Sequence, residues 1–155
     1  MRLIATLLMT LWLFAPVPSS ADNPTPYAGT RVIDTGKPFE PYVAALREAI
    51  KANAMGIVAQ ACADCGAKAI GVTIPGNRVI MIFRPQFAVR MLAASEAAGI
   101  EAPLRLYVTE QPDGTARLTF RQPSQVFAVY ENEDLTKMGG ELDLIVAKIV
   151  ADSLE

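Results

Sequence analysis

The chain reads as an α+β domain of two layers, a mixed and mostly antiparallel sheet with helices packed on one face. Three observations predict this. Between Arg78 and Phe120 the apolar pattern runs strand, helix, strand, tight turn, strand. Along the whole chain the order is strand, helix, strand, short segment, strand, helix, strand, strand, helix, which builds one sheet with helices against it. The third is size: 155 residues, 52% hydrophobic and 19% charged, are the length and composition of one domain.

The N-terminus is set apart from this domain. Met1-Arg2 is a short positive start, Leu3 to Phe14 is apolar, Pro16 and Pro18 break any helix, and Ser19-Ser20-Ala21 supplies small residues. This is the layout of a signal peptide over residues 1–21, cleaved after Ala21. The apolar run is too short to act as a spanning helix, so no stable membrane insertion is expected once it is removed. Residues 22–29, with two prolines and no periodicity, read as a flexible leader. Residues 30–155 form the domain, and the expected location is the periplasm or the medium.

Arg31 to Asp34 is a short strand with β-branched residues, broken at Gly36-Lys37-Pro38. A helix follows to about Met55: Phe39, Tyr42, Val43, Leu46 and Ile50 share one stripe, and Glu40, Arg47, Glu48 and Lys51 lie off it. Pro38 and Pro41 suit its first turn, and Gly56 its end. Ile57 to Cys62 is a second strand. Asp64 to Gly71 is rich in small residues and reads as a turn or short helix, Val72 to Ile74 as a strand end, and Pro75-Gly76-Asn77 as a turn. Val79 to Phe83 is apolar without a break, the pattern of an interior strand that helices can cover on both faces. Pro85 opens a helix to about Ala98, with Phe87, Met91, Ala94 and Ala98 on one stripe and Gly99 as its cap. After the hairpin, Val126 to Tyr130 reads as an apolar link. Leu135, Met138, Leu142, Ile145 and Ile149 mark a last helix from about Asp134 to Ser153. Gly139-Gly140 inside it costs about 1 kcal/mol per glycine, which points to a close backbone contact there or to a helix that starts only after the pair.

The hairpin register follows from the requirement that apolar residues share a face. Leu106 must oppose Phe120 and Val108 must oppose Leu118, which leaves Pro112-Asp113-Gly114 as a three-residue loop. The other face then carries Arg105, Tyr107, Thr109, Arg117, Thr119 and Arg121.

The run PGNRVIMIFRPQFAVRMLAASEAAGIEAPLRLYVTEQPDGTARLTFRQPS resembles the bacterial family known as domain of unknown function 302. The carrying residues are Phe83, Pro85, Gly99, Pro103, Glu110 and Asp113-Gly114, and the likeness extends from Arg31 to Tyr130. The resemblance implies an α+β fold and a homodimer. It implies no reaction and transfers no catalytic residue.

Composition excludes much chemistry. There is no histidine, which removes Ser-His-Asp and Cys-His catalysis and histidine-ligated metals. A formal charge of −2 without a dense basic run argues against nucleic acid as a partner. No catalytic set is visible, although a carboxylate or lysine base stays open. The expectation is an exported accessory or ligand-binding domain rather than an enzyme.

Three constellations stand out. Cys62 and Cys65 admit a structural disulfide, a thiol-disulfide exchange pair, or a copper(I) pair of thiolates. Asp64 between them repels a thiolate, with Lys68 the nearby cation; Met55, Met81 and Met91 read more simply as core packing, and are otherwise the sulfur residues that can join a soft metal. Arg105, Tyr107, Arg117 and Arg121 form a face for an anionic ligand or a partner. Glu131, Glu133 and Asp134 suit the dipole of a helix start.

Overall fold

A computed structural model describes residues 27–155; the expected signal peptide and most of the leader lie outside the described residues. The strands are β1 (Thr30–Pro38), β2 (Gly56–Cys62), β3 (Asn77–Phe83), β4 (Leu104–Glu110) and β5 (Thr115–Arg121). The helices are α1 (Phe39–Ala52), α2 (Ala63–Ala69), α3 (Pro85–Ala94), α4 (Pro123–Ala128) and α5 (Glu133–Leu154), with a 3-10 turn at Ala97–Glu101. The sheet order is β1-β5-β4-β3-β2 and each pairing is antiparallel, so the parallel share of the expected mixed sheet is nil.

One face of the sheet is covered. Ile80, Ile82, Leu106, Val108 and Leu118 are at most 1% exposed and meet Tyr42, Leu46 and Ile50 of α1 and Val146 and Ile149 of α5. Side chains buried this fully contribute about 1.5–3 kcal/mol each. A second cluster joins Met91 and Ala98 to Phe127 of α4 and to Leu135, Met138 and Leu142 of α5. The two clusters form one continuous helical layer over the sheet.

The hairpin has the expected register, with Leu106 opposite Phe120 and Val108 opposite Leu118. Gly114 N donates to Gln111 O at 2.8 Å and Gln111 N to Thr115 O at 2.8 Å, closing the Pro112-Asp113-Gly114 loop. Gly114 has φ +80°, the left-handed residue that such a loop needs. The Gly139 contact is also present: a Cβ there would lie 2.8 Å from the Ser124 Cα. The apolar stripes of α1 and α3 both face the core.

Other expectations are corrected. β3 is covered on one face only: Arg78, Ile80 and Ile82 are buried, while Val79, Met81 and Phe83 are half-buried on the helix-free side. α1 stops at Ala52, with Ala54 rather than Gly56 taking positive φ (54°) and Gly56 opening β2. The helix closes there because the Ala54 N–H turns back to Lys51 O at 2.9 Å and the Met55 N–H to Ile50 O at 3.1 Å, while Asn53 Nδ2 donates to Ala49 O. α3 ends at Ala94, where Ser95 turns to extended backbone and Gly99 falls inside the 3-10 turn. Val126 to Tyr130 is not a link: Val126 and Phe127 belong to α4, which Pro123 starts and whose apolar side is buried. Val72 to Ile74 forms no strand.

Candidate functional site

Cys62 and Cys65 are joined by a disulfide with a Cα–Cα distance of 5.2 Å. The bridge stands where β2 passes into α2, and the Cys65 N–H donates to Cys62 Sγ at 3.2 Å. α2 buries no side chain, so covalent and polar contacts hold it to the domain. Asp64 is central among these. Its Oδ1 lies 3.4 Å from Cys62 Sγ, accepts the Asn77 N–H at 3.0 Å and meets Arg78 Nη1. Burial pushes the Asp64 carboxyl up, but the Asn77 N–H and the Arg78 guanidinium outweigh it and hold the group below the usual carboxylate range.

Arg78 is the residue that sequence reasoning missed. It pairs with Cys62 across β2 and β3, on the core face, and its Nη2 meets Glu40 Oε1 at 2.9 Å. Its guanidinium lies 5.3 Å from the Phe39 ring centroid. Gly76 gives that ring its place, because a Cβ there would come 2.3 Å from Phe39 Cε1. The Gly76 N–H in turn donates to Glu110 Oε2 at 2.7 Å. Strand alternation carried the signal: Arg78 shares parity with Ile80 and Ile82, and a charge on that face needs partners.

Among the described residues, Cys62, Asp64 and Cys65 are the one group of three or more such side chains whose ligand atoms lie within 4.8 Å of one another. It does not make a soft-metal site beyond two thiolates, because its third ligand is a hard carboxylate already bound by Arg78. The methionines lie elsewhere. Met55 sits before β2, at the end opposite Cys62; Met81 faces the helix-free side; Met91 belongs to the second cluster.

The sheet face opposite the helices holds the arginines. β4 and β5 bring Arg105 and Arg121 to one shallow concavity, shared with Glu101, Leu104 and Val126. Both are exposed, and neither makes an ion pair among the described residues. Arg117 is not part of this group. It lies opposite Thr109, four residues from Arg105 and therefore about 14 Å along β4, with its Nε 2.6 Å from Asp34 Oδ1. Tyr107 stands between the two ends, accepting from Asn77 Nδ2 at 2.6 Å. Glu133 and Asp134 occupy the first turn of α5, and the cap is Asn132, whose Oδ1 accepts the Leu135 N–H at 3.1 Å. No helix among the described residues is long and apolar enough to cross a membrane.

A five-stranded antiparallel sheet with helices on one side and a stapled β2–α2 corner defines a two-layer α+β domain. The family model described as "Domain of unknown function DUF302" matches residues 31–152, and the chain belongs to that family. Its fold is similar to the crystal structure of an uncharacterized conserved DUF302 protein from Bacillus stearothermophilus. The TM-score is 0.72 at 16% identity, over 81% of this chain and 98% of that one. No curated protein matches the chain.

Proposed function

We propose that the protein is an exported accessory domain that binds an anionic ligand or partner group on its helix-free sheet face, and that it works as a homodimer. The observation that carries this reading is the Arg105–Arg121 pair. Two guanidinium groups from neighbouring strands share one concavity with no carboxylate bonded to either. Like charges placed side by side on a sheet repel, and an anion removes that cost while taking up their planar donors. Export rests on the charged, apolar and small-residue layout of residues 1–21.

The test is an NMR titration of residues 22–155 with citrate and, separately, inorganic phosphate. The Nε signals of Arg105 and Arg121 and the backbone amides around them should shift with saturation, and the same amides of the Arg105→Gln/Arg121→Gln protein should not respond. No shift, or equal shifts in the double variant, would refute the site. Native mass spectrometry reads the subunit number in the same sample, and cell fractionation reads export.

A second reading, thiol-disulfide exchange or copper(I) handling at Cys62 and Cys65, has one observation in its favour. The Cys65 N–H points at Cys62 Sγ, where it would hold a thiolate. The Asp64 carboxylate 3.4 Å from that sulfur opposes the same thiolate. A reduction potential below about −300 mV would set this reading aside in favour of a structural staple.

A further inference from the structure

The geometry points to a second binding site, on the helical side, for a short-chain monocarboxylate. Leu104 is the one residue it shares with the concavity of Arg105 and Arg121, and neither of those arginines lines it. A cavity of about 30 Å³ lies where α3 and α5 meet the ends of β3 and β4. Met55, Met91, Met138 and Phe127 line its interior, each at most 4% exposed. The lining is almost wholly apolar, so a water there would lack partners and the space suits hydrocarbon. At rest it admits only the tip of an alkyl chain. Methionine is unbranched, with three rotatable bonds, and three of them in one wall can swing aside for more.

The rim has the opposite character. Arg84 and Phe87 line the cavity and also an adjoining surface concavity with Gln86 and Arg90. The Arg84 and Arg90 guanidinium groups each lie 5.4 Å from the Phe87 ring centroid. Arg90 is neutralised by a two-point pair with Glu141, at 2.6 and 2.9 Å. Arg84 is not. Its bonds go to the backbone carbonyls of Asn53 and Ala54, and among the described residues no carboxylate meets it. An unneutralised cation at the mouth of an apolar hole selects a ligand with an anionic head and a hydrocarbon tail. Chain length is limited by what three methionines can yield, so the tail is short. The head is a carboxylate by this reading, because the fixed fork of a guanidinium matches it in the plane.

The test uses residues 22–155 with 13C-methyl methionine, titrated with butyrate, octanoate, octyl phosphate, octan-1-ol and octylamine. Octanoate should bind in the sub-millimolar range and shift the methyl signals of Met55, Met91 and Met138. Met81, on the far face of the sheet, should stay still. Octanoate should bind at least tenfold tighter than octylamine and tighter than octyl phosphate. Arg84→Gln should weaken octanoate about tenfold without changing octan-1-ol, and Arg84→Lys should recover most of the loss. Ala88→Phe, which fills the mouth, should abolish octanoate binding at unchanged circular dichroism. If that variant does not fold, the Arg84 pair decides alone. The site is refuted if the three methyl groups do not move, if Met81 moves equally, or if Arg84→Gln leaves octanoate affinity unchanged. Tighter octyl phosphate would overturn the carboxylate assignment.

Discussion

Gly139 and Gly140 are adjacent in α5, and alanine at each should move stability in opposite directions. At Gly139 an added Cβ would lie 2.8 Å from Ser124 Cα, 3.2 Å from Ser124 N and 3.3 Å from Pro123 O. These are backbone atoms of a short helix pinned by buried Val126 and Phe127 and by the Ser124 N–H bond to Asp143 Oδ1 at 2.9 Å. They cannot yield as a side chain would. Overpacking of this kind costs about 1–3 kcal/mol, against about 1 kcal/mol that alanine returns through helix propensity. Gly139→Ala should therefore lose about 1 kcal/mol net. At Gly140 a Cβ meets nothing within 4 Å, so Gly140→Ala should gain about 0.5–1 kcal/mol. Urea denaturation of residues 22–155 reads both, as midpoints displaced to either side of the wild type at constant slope. In thermal melts the variants should differ by about 6–8 °C, taking about 4 °C per kcal/mol for a domain of this size. If Gly139→Ala proves as stable as Gly140→Ala, the close approach of α4 to α5 is not a constraint and the argument fails.

Other substitutions probe the stapled corner and the hairpin. The Asp64 carboxyl is held below its unfolded value, so the stability it adds is present above about pH 4 and is lost as pH falls through the folded value. Asp64→Asn should lower stability at neutral pH and converge with the wild type below that range, as read from urea midpoints against pH. Cys62→Ser/Cys65→Ser should cost no more than about 2 kcal/mol, the loop entropy of so short a bridge; a larger loss would mean that α2 carries core packing. Gly114→Ala should cost about 1 kcal/mol, because φ there is +80° with nothing near a Cβ to offset the strain. A neutral or stabilising result in a denaturant melt would show that the loop relaxes.

What the sequence made legible was whatever repeats with a short period. Leu106, Val108, Leu118 and Phe120 alternate, and Pro112-Asp113-Gly114 admits one loop, so register and face followed together. Arg105 and Arg121 became visible as neighbours through that same register. The ends of helices were harder to read. The alanines after Met91 satisfy a helical stripe as far as Ala98, yet the chain leaves the helix at Ser95. α1 ends early because Ala54 takes positive φ and the Ala54 and Met55 N–H groups turn back to Lys51 O and Ile50 O, a closure that no side-chain period announces. α4 spans only six residues, too few to show a period. Arg78 escaped notice because VIMIF reads as unbroken, which hid the alternation placing this arginine inward. Arg84 follows a strand and resembles a loop charge until its lack of a carboxylate partner is seen in three dimensions.

The closed Cys62–Cys65 bridge has a further consequence when set beside the missing histidines. Imidazole and free thiol are the side chains whose ordinary affinities for protons fall closest to neutrality. This domain has neither available, because the sequence holds no histidine and its two cysteines are bridged. A switch that answers acidity near neutrality through either group is therefore closed to it.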